Sequence, residues 1–226
     1  MLFTLVRHGE CLGQTDPQFW ADPDSALSPR GIEQAIATAQ QLATEQVTHL
    51  LSSPLVRALA TADTIAAMCG IAHIHVWTEL REGFSGTYRG LMRAQLQAQF
   101  PRAVLAETIT EDGWKHGDVD YDALWLRCQE LVQRVRQQFT HQDHVVLVTH
   151  GGCANYLLHI LLGIDRSSPQ WFELANGSIT RLRLIPDPQA ERPDWPLYPP
   201  IPVEIKNIND VAHLACLRPS EANREP

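Results

Sequence analysis

The stretch Val145-Val146-Leu147-Val148-Thr149-His150-Gly151-Gly152 decides how this chain is read. Its first four residues form the clearest strand in the sequence, a short apolar run of the kind buried inside a sheet. Gly151-Gly152 then leads into a helix over Tyr156–Leu162. The same pattern recurs outward from there. Leu2–Val6 is a buried strand ended by Arg7-His8-Gly9, and His49–Leu51 is another, ending in Ser52-Ser53-Pro54. Ile71–Trp77 reads as a third strand of this kind, and Val203–Ile208 as a late edge strand. Ser28-Pro29 opens a helix, with serine as N-cap and proline at its first position; Ile32, Ile36 and Ala39 give it one apolar face. Leu55, Leu59, Ala62, Ile65 and Cys69 follow at helical spacing, as do Leu124, Cys128, Leu131, Val135 and Phe139. Strands alternating with helices predict an α/β fold, with a mostly parallel central sheet flanked by helices on both faces. Ligands of such sheets gather beyond the carboxyl ends of the strands. Three polar clusters sit at those ends, Arg7-His8-Gly9, Ser53-Pro54 with Arg57, and Thr149-His150-Gly151, and the topology lets them meet.

Composition bounds the rest. The chain has 226 residues, 18 basic and 26 acidic side chains, and a net charge of −8. That length fits one domain, read here as 1–226, which needs neither disulfides nor a structural metal to fold. An acidic surface disfavours nucleic acid, whose nonspecific binding needs many neutralised phosphates. At first sight it also disfavours a phosphate ligand, but net charge describes the whole surface and not one pocket. The five cysteines lack the spacing of a disulfide framework or zinc ribbon. No apolar run is long enough for a signal peptide or a membrane span, so the expectation is a cytoplasmic protein without membrane association. The weakly periodic segment Ala106–Tyr121, within 91–122, reads as a lid or insert. Seven prolines between Pro186 and Pro202 predict an extended tail region.

Leu5-Val6-Arg7-His8-Gly9-Glu10 resembles the signature of the histidine phosphatase superfamily, which includes the cofactor-dependent phosphoglycerate mutases. Further segments resemble the family in order along nearly the whole chain. These are Leu27-Ser28-Pro29-Arg30-Gly31 with Gln34-Ala35, and Ser52-Ser53-Pro54-Leu55-Val56-Arg57-Ala58 with Thr61-Ala62. Leu80-Arg81-Glu82 with Gly86 and Gly90, Thr149-His150-Gly151-Gly152, Asn176-Gly177-Ser178-Ile179, and Asn209-Asp210 with His213-Leu214 follow.

The resemblance implies a phosphoglycerate mutase-like fold and a phosphohistidine on His8. Arg7, Arg57 and His150 would bind the phosphoryl oxygens, with Gln14 and the amides from Gly151 onward assisting, and Glu82 would be the general acid and base. Arginine forks suit tetrahedral anions, and like-charge repulsion from them keeps the attacking imidazole neutral. These groups supply the positive charge of phosphoryl transfer, so neither a metal nor another cofactor is expected. Glu79, three residues before Glu82, competes for the acid role.

Other readings of the residues fail. Cys128–Arg134 has the Cys-x5-Arg spacing of cysteine phosphatases but lies in a helical pattern without glycine. His73-x-His75 lacks a third metal ligand. His8-x-Glu10 lacks the cysteine pair of a zinc deaminase, and no Gly-x4-Gly-Lys loop exists. Departures from the family lie where specificity is set. Gln14 stands where asparagine is usual, Asn155 where arginine is usual, and no Gly-Gly-Glu-Ser segment occurs near Trp114–Asp122. The expected function is a metal-independent phosphomonoesterase for a small phosphorylated metabolite. A phosphoglycerate mutase and a noncatalytic phospho-ligand binder are the alternatives. Neither the substrate nor the oligomeric state is legible in the sequence.

Overall fold

The computed structural model describes residues 1–83, 88–118, 120–191, 193 and 200–217. Strands β1 (Leu2–Arg7), β2 (His49–Ser52), β3 (Ile74–Val76), β4 (Tyr88–Arg89), β5 (Ala103–Leu105), β6 (Lys115–His116), β7 (His144–Thr149), β8 (Ile179–Leu184) and β9 (Val203–Asp210) alternate with helices. The helices are α1 (Leu12–Thr15), α2 (Pro29–Leu42), α3 (Val56–Cys69), α4 (Arg93–Gln99), α5 (Tyr121–Gln138), α6 (Gly151–Leu162) and α7 (Pro188–Glu191). The main sheet has the order β5-β3-β2-β7-β1-β8-β9, parallel from β5 to β1 and antiparallel at β8 and β9. Strands β4 and β6 form a separate antiparallel ribbon.

Side chains alternate across a strand, so each apolar run of the central strands feeds two cores. Leu5, Val145 and Leu147 face α5 and α6, packing with Cys128, Leu131, Leu157 and Leu158. Val6, Leu50, Val146 and Val148 face α3, packing with Leu55, Leu59, Ala62 and Ile65. The runs at β1, β2 and β7 therefore look continuously apolar. Among the described residues no helix is long and apolar enough to cross a membrane.

Four expectations need correction. Ser28 does cap α2, its hydroxyl accepting from the Gly31 amide at 3.0 Å, but Ile32 and Ile36 are 50% and 38% exposed. The buried face is Gly31, Gln34, Ala35, Thr38, Ala39 and Leu42. The helix comes so close to the loop after β1 that a side chain at Gly31 would overlap the backbone of Glu10, and only small residues fit that approach. Segment 91–122 is not a plain lid: β5 forms the edge of the main sheet, and Ile109 and Trp114 are buried in the α3-side core. In the Pro-rich region, α7 is a one-turn helix opened by Pro188, with Asp187 accepting from the Ala190 amide. The strand read over Ile71–Trp77 is confined to Ile74–Val76. Gly86, residue 192 and residues 194–199 of the Pro-rich region lie outside the described residues.

Candidate active site

The three polar clusters meet beyond the carboxyl ends of β1, β2 and β7, because β7 pairs with both other strands in parallel register. Arg7, His8, Gln14, Arg57 and Glu82 line one cleft of about 270 Å³ together with Asp22, Ser25 and His116, among others. Glu79 is not among its lining residues; its carboxylate pairs with Arg134 on α5 at 3.3 Å. Of the two glutamates, only Glu82 lines the cleft.

His8 follows β1, held by its amide to the Thr149 carbonyl at 3.0 Å. Its Nδ1 lies 2.6 Å from the Gly9 carbonyl and its Nε2 lies 3.2 Å from Arg57 Nε. A carbonyl only accepts and a guanidinium only donates, so Nδ1 carries the hydrogen and Nε2 presents its lone pair. Burial, and then the neighbouring charges of Arg57 and Arg7, push His8 well below the usual histidine range. The imidazole is neutral at pH 7 with Nε2 as its basic atom.

Arg57 stands in the first turn of α3, with Nη1 donating to the Pro23 carbonyl at 2.9 Å. Arg7, the last residue of β1, donates through Nη1 to the Leu174 carbonyl. Its buried Nε has no hydrogen-bond partner among the described residues. Burial lowers the Arg7 pKa, with Glu82 opposing and Arg57 adding to the effect. His150, the N-cap of α6, is fully buried with its ring centroid 4.9 Å from that of His8. Its Nε2 is 2.8 Å from the Ser53 hydroxyl, and its Nδ1 also has no partner. Burial first, then Arg57 and His8, hold His150 well below the usual range. Arg7 Nε, His150 Nδ1 and the Arg57 guanidinium thus gather donors of the kind that bind a tetrahedral anion.

The helix amides expected to assist are differently used. Gly152 and Cys153 donate to Glu82 Oε2 and Oε1 at 3.0 and 2.9 Å, and the Gly83 amide adds a third bond to Oε1. Glu82 therefore caps α6, a favourable place for a carboxylate. Gly151 does not line the cleft; it packs against Arg7, where a Cβ would sit 3.4 Å from Nε. Gln14 Oε1 accepts from the Cys11 amide, and its Nε2 donates to Asn176 Oδ1 at 3.3 Å. Asn176 in turn donates to the His8 carbonyl.

The cleft also holds His116 and Asp22, which the sequence did not single out, and Asp24 stands next to it at the start of α3. His116 is buried on β6, with Nε2 placed 3.2 Å from the Glu82 carbonyl, and burial pushes it down to about 4. It stands in a weakly periodic segment that carried no local signal. Asp24 accepts from the Val56 amide at the start of α3, and burial pushes its carboxyl up to about 7. Asp22 accepts from the Asp24 amide. Cys128 and Arg134 both lie inside α5, without the loop that cysteine-phosphatase chemistry needs. Among the described residues no cluster of three or more His, Cys, Asp or Glu side chains could hold a metal ion.

The model of the histidine phosphatase superfamily (branch 1) matches residues 3–191. Phosphoglycerate mutase-like protein 4 of Arabidopsis thaliana is 33% identical over 151 residues, spanning 66% of this chain and 65% of that protein. This match is just under two thirds of the plant protein's length. The glucosyl-3-phosphoglycerate phosphatase of Mycobacterium tuberculosis is 31% identical over 186 residues, spanning 79% of this chain and 83% of that one. The solved mycobacterial glucosyl-3-phosphoglycerate phosphatase, complexed with VO3, superposes with a TM-score of 0.62 at 27% identity, over 92% of this chain and 98% of that one. With its ordered segments converging on one cleft, this chain belongs to the histidine phosphatase superfamily.

Proposed function

We propose that the chain is a metal-independent phosphomonoesterase acting on a small phosphorylated metabolite through a phosphohistidine on His8. One observation carries this reading. A neutral imidazole, pinned at Nδ1 by the Gly9 carbonyl, presents Nε2 beside Arg57 in a cleft that also holds Arg7 and Glu82.

In the first half-reaction Nε2 attacks phosphorus and the phosphorus–oxygen ester bond breaks. Nδ1 keeps its hydrogen, and the Gly9 carbonyl stabilises the positive charge that develops on the ring. The incoming phosphoryl group displaces Arg57 Nε from Nε2, and the freed guanidinium donates to its oxygens together with Arg7 Nε and His150 Nδ1. His150 donates there as the Nδ1–H tautomer, its Nε2 then accepting from Ser53. The leaving alkoxide takes from Glu82 a proton that the carboxylate first receives from the monoanionic form of the substrate phosphate. A carboxylate has about four lone-pair directions; Oε1 uses two on amides and Oε2 one, so the transferable proton sits on Oε2. In the second half-reaction Glu82 takes a proton from water, water oxygen bonds to phosphorus, and the phosphorus–nitrogen bond breaks. Inorganic phosphate leaves and His8 is restored.

The name of the plant relative supports a second reading, a mutase that returns the phosphoryl group to the substrate instead of to water. The assay that separates them uses phosphorylated metabolites with excess EDTA. Phosphate release supports the phosphatase. Interconversion of phosphoglycerates without release supports the mutase, and no turnover with no phosphoenzyme leaves a binder.

A further inference from the structure

Resting on the phosphatase reading, we infer that the outer cleft selects phosphate monoesters whose alcohol part bears hydroxyl groups and no second anionic group, with Asp22 as the specificity-determining residue. Of the described residues that line the cleft, only Arg7 and Arg57 carry full positive charge, and both are committed to the His8 end. Away from His8 the wall is built from Gln14, Asp22, Pro23, Ser25 and the β4–β6 ribbon. His116 on that ribbon adds no charge, since burial keeps it neutral down to about 4.

Two cations lie close by in sequence, yet strand geometry turns them outward. Tyr88 pairs with His116 and Arg89 with Lys115. Cross-strand partners share a face and successive residues alternate. His116 lines the cleft, so its face also carries half-buried Tyr88, while Arg89 and Lys115 are exposed on the opposite face. Arg89 is further held there by the Asp112 carbonyl at 3.0 Å. The negative field of this wall is felt at Tyr88, whose hydroxyl is pushed up to about 12 by burial first and then by Asp24 and Asp22.

A carboxylate or second phosphate on the substrate would thus meet the exposed Asp22 carboxylate with no further cation among the described lining residues to offset the repulsion. A hydroxyl group can instead donate to Asp22. One Asp22 oxygen already accepts from the Asp24 amide at 2.9 Å, which fixes the side chain without using its full acceptor capacity.

The test compares glycerol 3-phosphate with 3-phosphoglycerate, which differ by a hydroxymethyl group against a carboxylate, and uses nitrophenyl phosphate as reference. The expected result is a kcat/KM for glycerol 3-phosphate at least about tenfold above that for 3-phosphoglycerate. Asp22→Lys should shrink or invert that ratio; Asp22 is exposed, so the variant folds. Hydrolysis of nitrophenyl phosphate with 3-phosphoglycerate as good as or better than glycerol 3-phosphate overturns the inference and leaves the phosphatase standing. So does a ratio that Asp22→Lys does not move. Failure to release phosphate from any of the three overturns the phosphatase reading itself, and the inference with it.

Discussion

A histidine that attacks phosphorus must be uncharged and must aim the right nitrogen, and His8 meets both demands through the groups it touches directly. The Gly9 carbonyl fixes the hydrogen on Nδ1, while burial and two guanidinium charges resist protonation. Nitrogen-detected NMR at pH 6 should therefore show His8 as the neutral Nδ1–H tautomer; a cationic ring at that pH would contradict the assignment. For Glu82, replacement by glutamine removes the proton but keeps the acceptor that Cys153 and Gly83 use. Glu82→Gln should lower kcat by roughly 10²–10⁴ for sugar phosphates and much less for nitrophenyl phosphate, whose leaving group needs little help. Equal losses on both substrates would remove Glu82 from the acid role. At this scale the sequence was informative for Arg7, His8, Arg57 and His150, which close strands or open helices where ligands gather. The capping of α6 by Glu82 was hidden, because 70 residues separate the carboxylate from the Gly152 amide and no local pattern reports the contact.

The elements hold these side chains through a few buried polar anchors. Asp118 accepts from Arg81 at 2.8 Å and from Arg127 at 2.9 and 3.0 Å, tying α5 to the segment that carries Glu82. Arg127 also donates to the Glu79 and Arg81 carbonyls. Asp118→Ala leaves two largely buried guanidinium groups uncompensated, a loss of about 3 kcal/mol or more. Urea denaturation should show that loss, along with reduced kcat as Glu82 is released; an unchanged midpoint would deny the anchor. Asp24 plays a smaller part, receiving the Val56 amide at the turn that carries Arg57. Asp24→Ala should cost about 1 kcal/mol, whereas Asp24→Asn keeps the acceptor and restores stability. The strands β1, β2 and β7 were legible because both faces are buried and their apolar runs are continuous. The α2 face was not: large residues such as Ile32 dominate any pattern, yet close approach to Glu10 requires Gly31, and Ala35 and Ala39 are buried on the same helix. Strand β8 escaped although Ile179, Leu182 and Leu184 are buried, since Thr180, Arg181 and Arg183 break the apolar run on which strands were sought.

Across the whole molecule, a net charge of −8 coexists with a site built for an anion, because Arg7 and Arg57 concentrate positive charge in one cleft. The buried titratable groups also set how stability depends on pH. His8, His150 and His116 are all held below the usual histidine value in the folded state, so each refuses a proton that the unfolded chain takes up near 6.5. Their stabilising contribution is present above about pH 6.5 and is lost as pH falls below it. Asp24 opposes this, keeping its proton up to about 7 when folded, so its contribution grows in the same window. His75, His144 and His213 are lowered as well, so the histidines outnumber the one opposing carboxyl, and the unfolded chain binds more protons than the fold as pH falls below about 6.5. Urea midpoints should fall as pH drops from about 6 to about 5; a constant or rising midpoint would mean that these histidines are charged in the fold.

The most direct test of the account is to trap the phosphoenzyme. A labelled phosphomonoester is mixed with the protein, quenched in alkali within milliseconds, and the labelled peptide is mapped. The expected result is an acid-labile, alkali-stable label on His8 that disappears, together with turnover, in His8→Ala. Label on another residue, or turnover that survives His8→Ala, would contradict it.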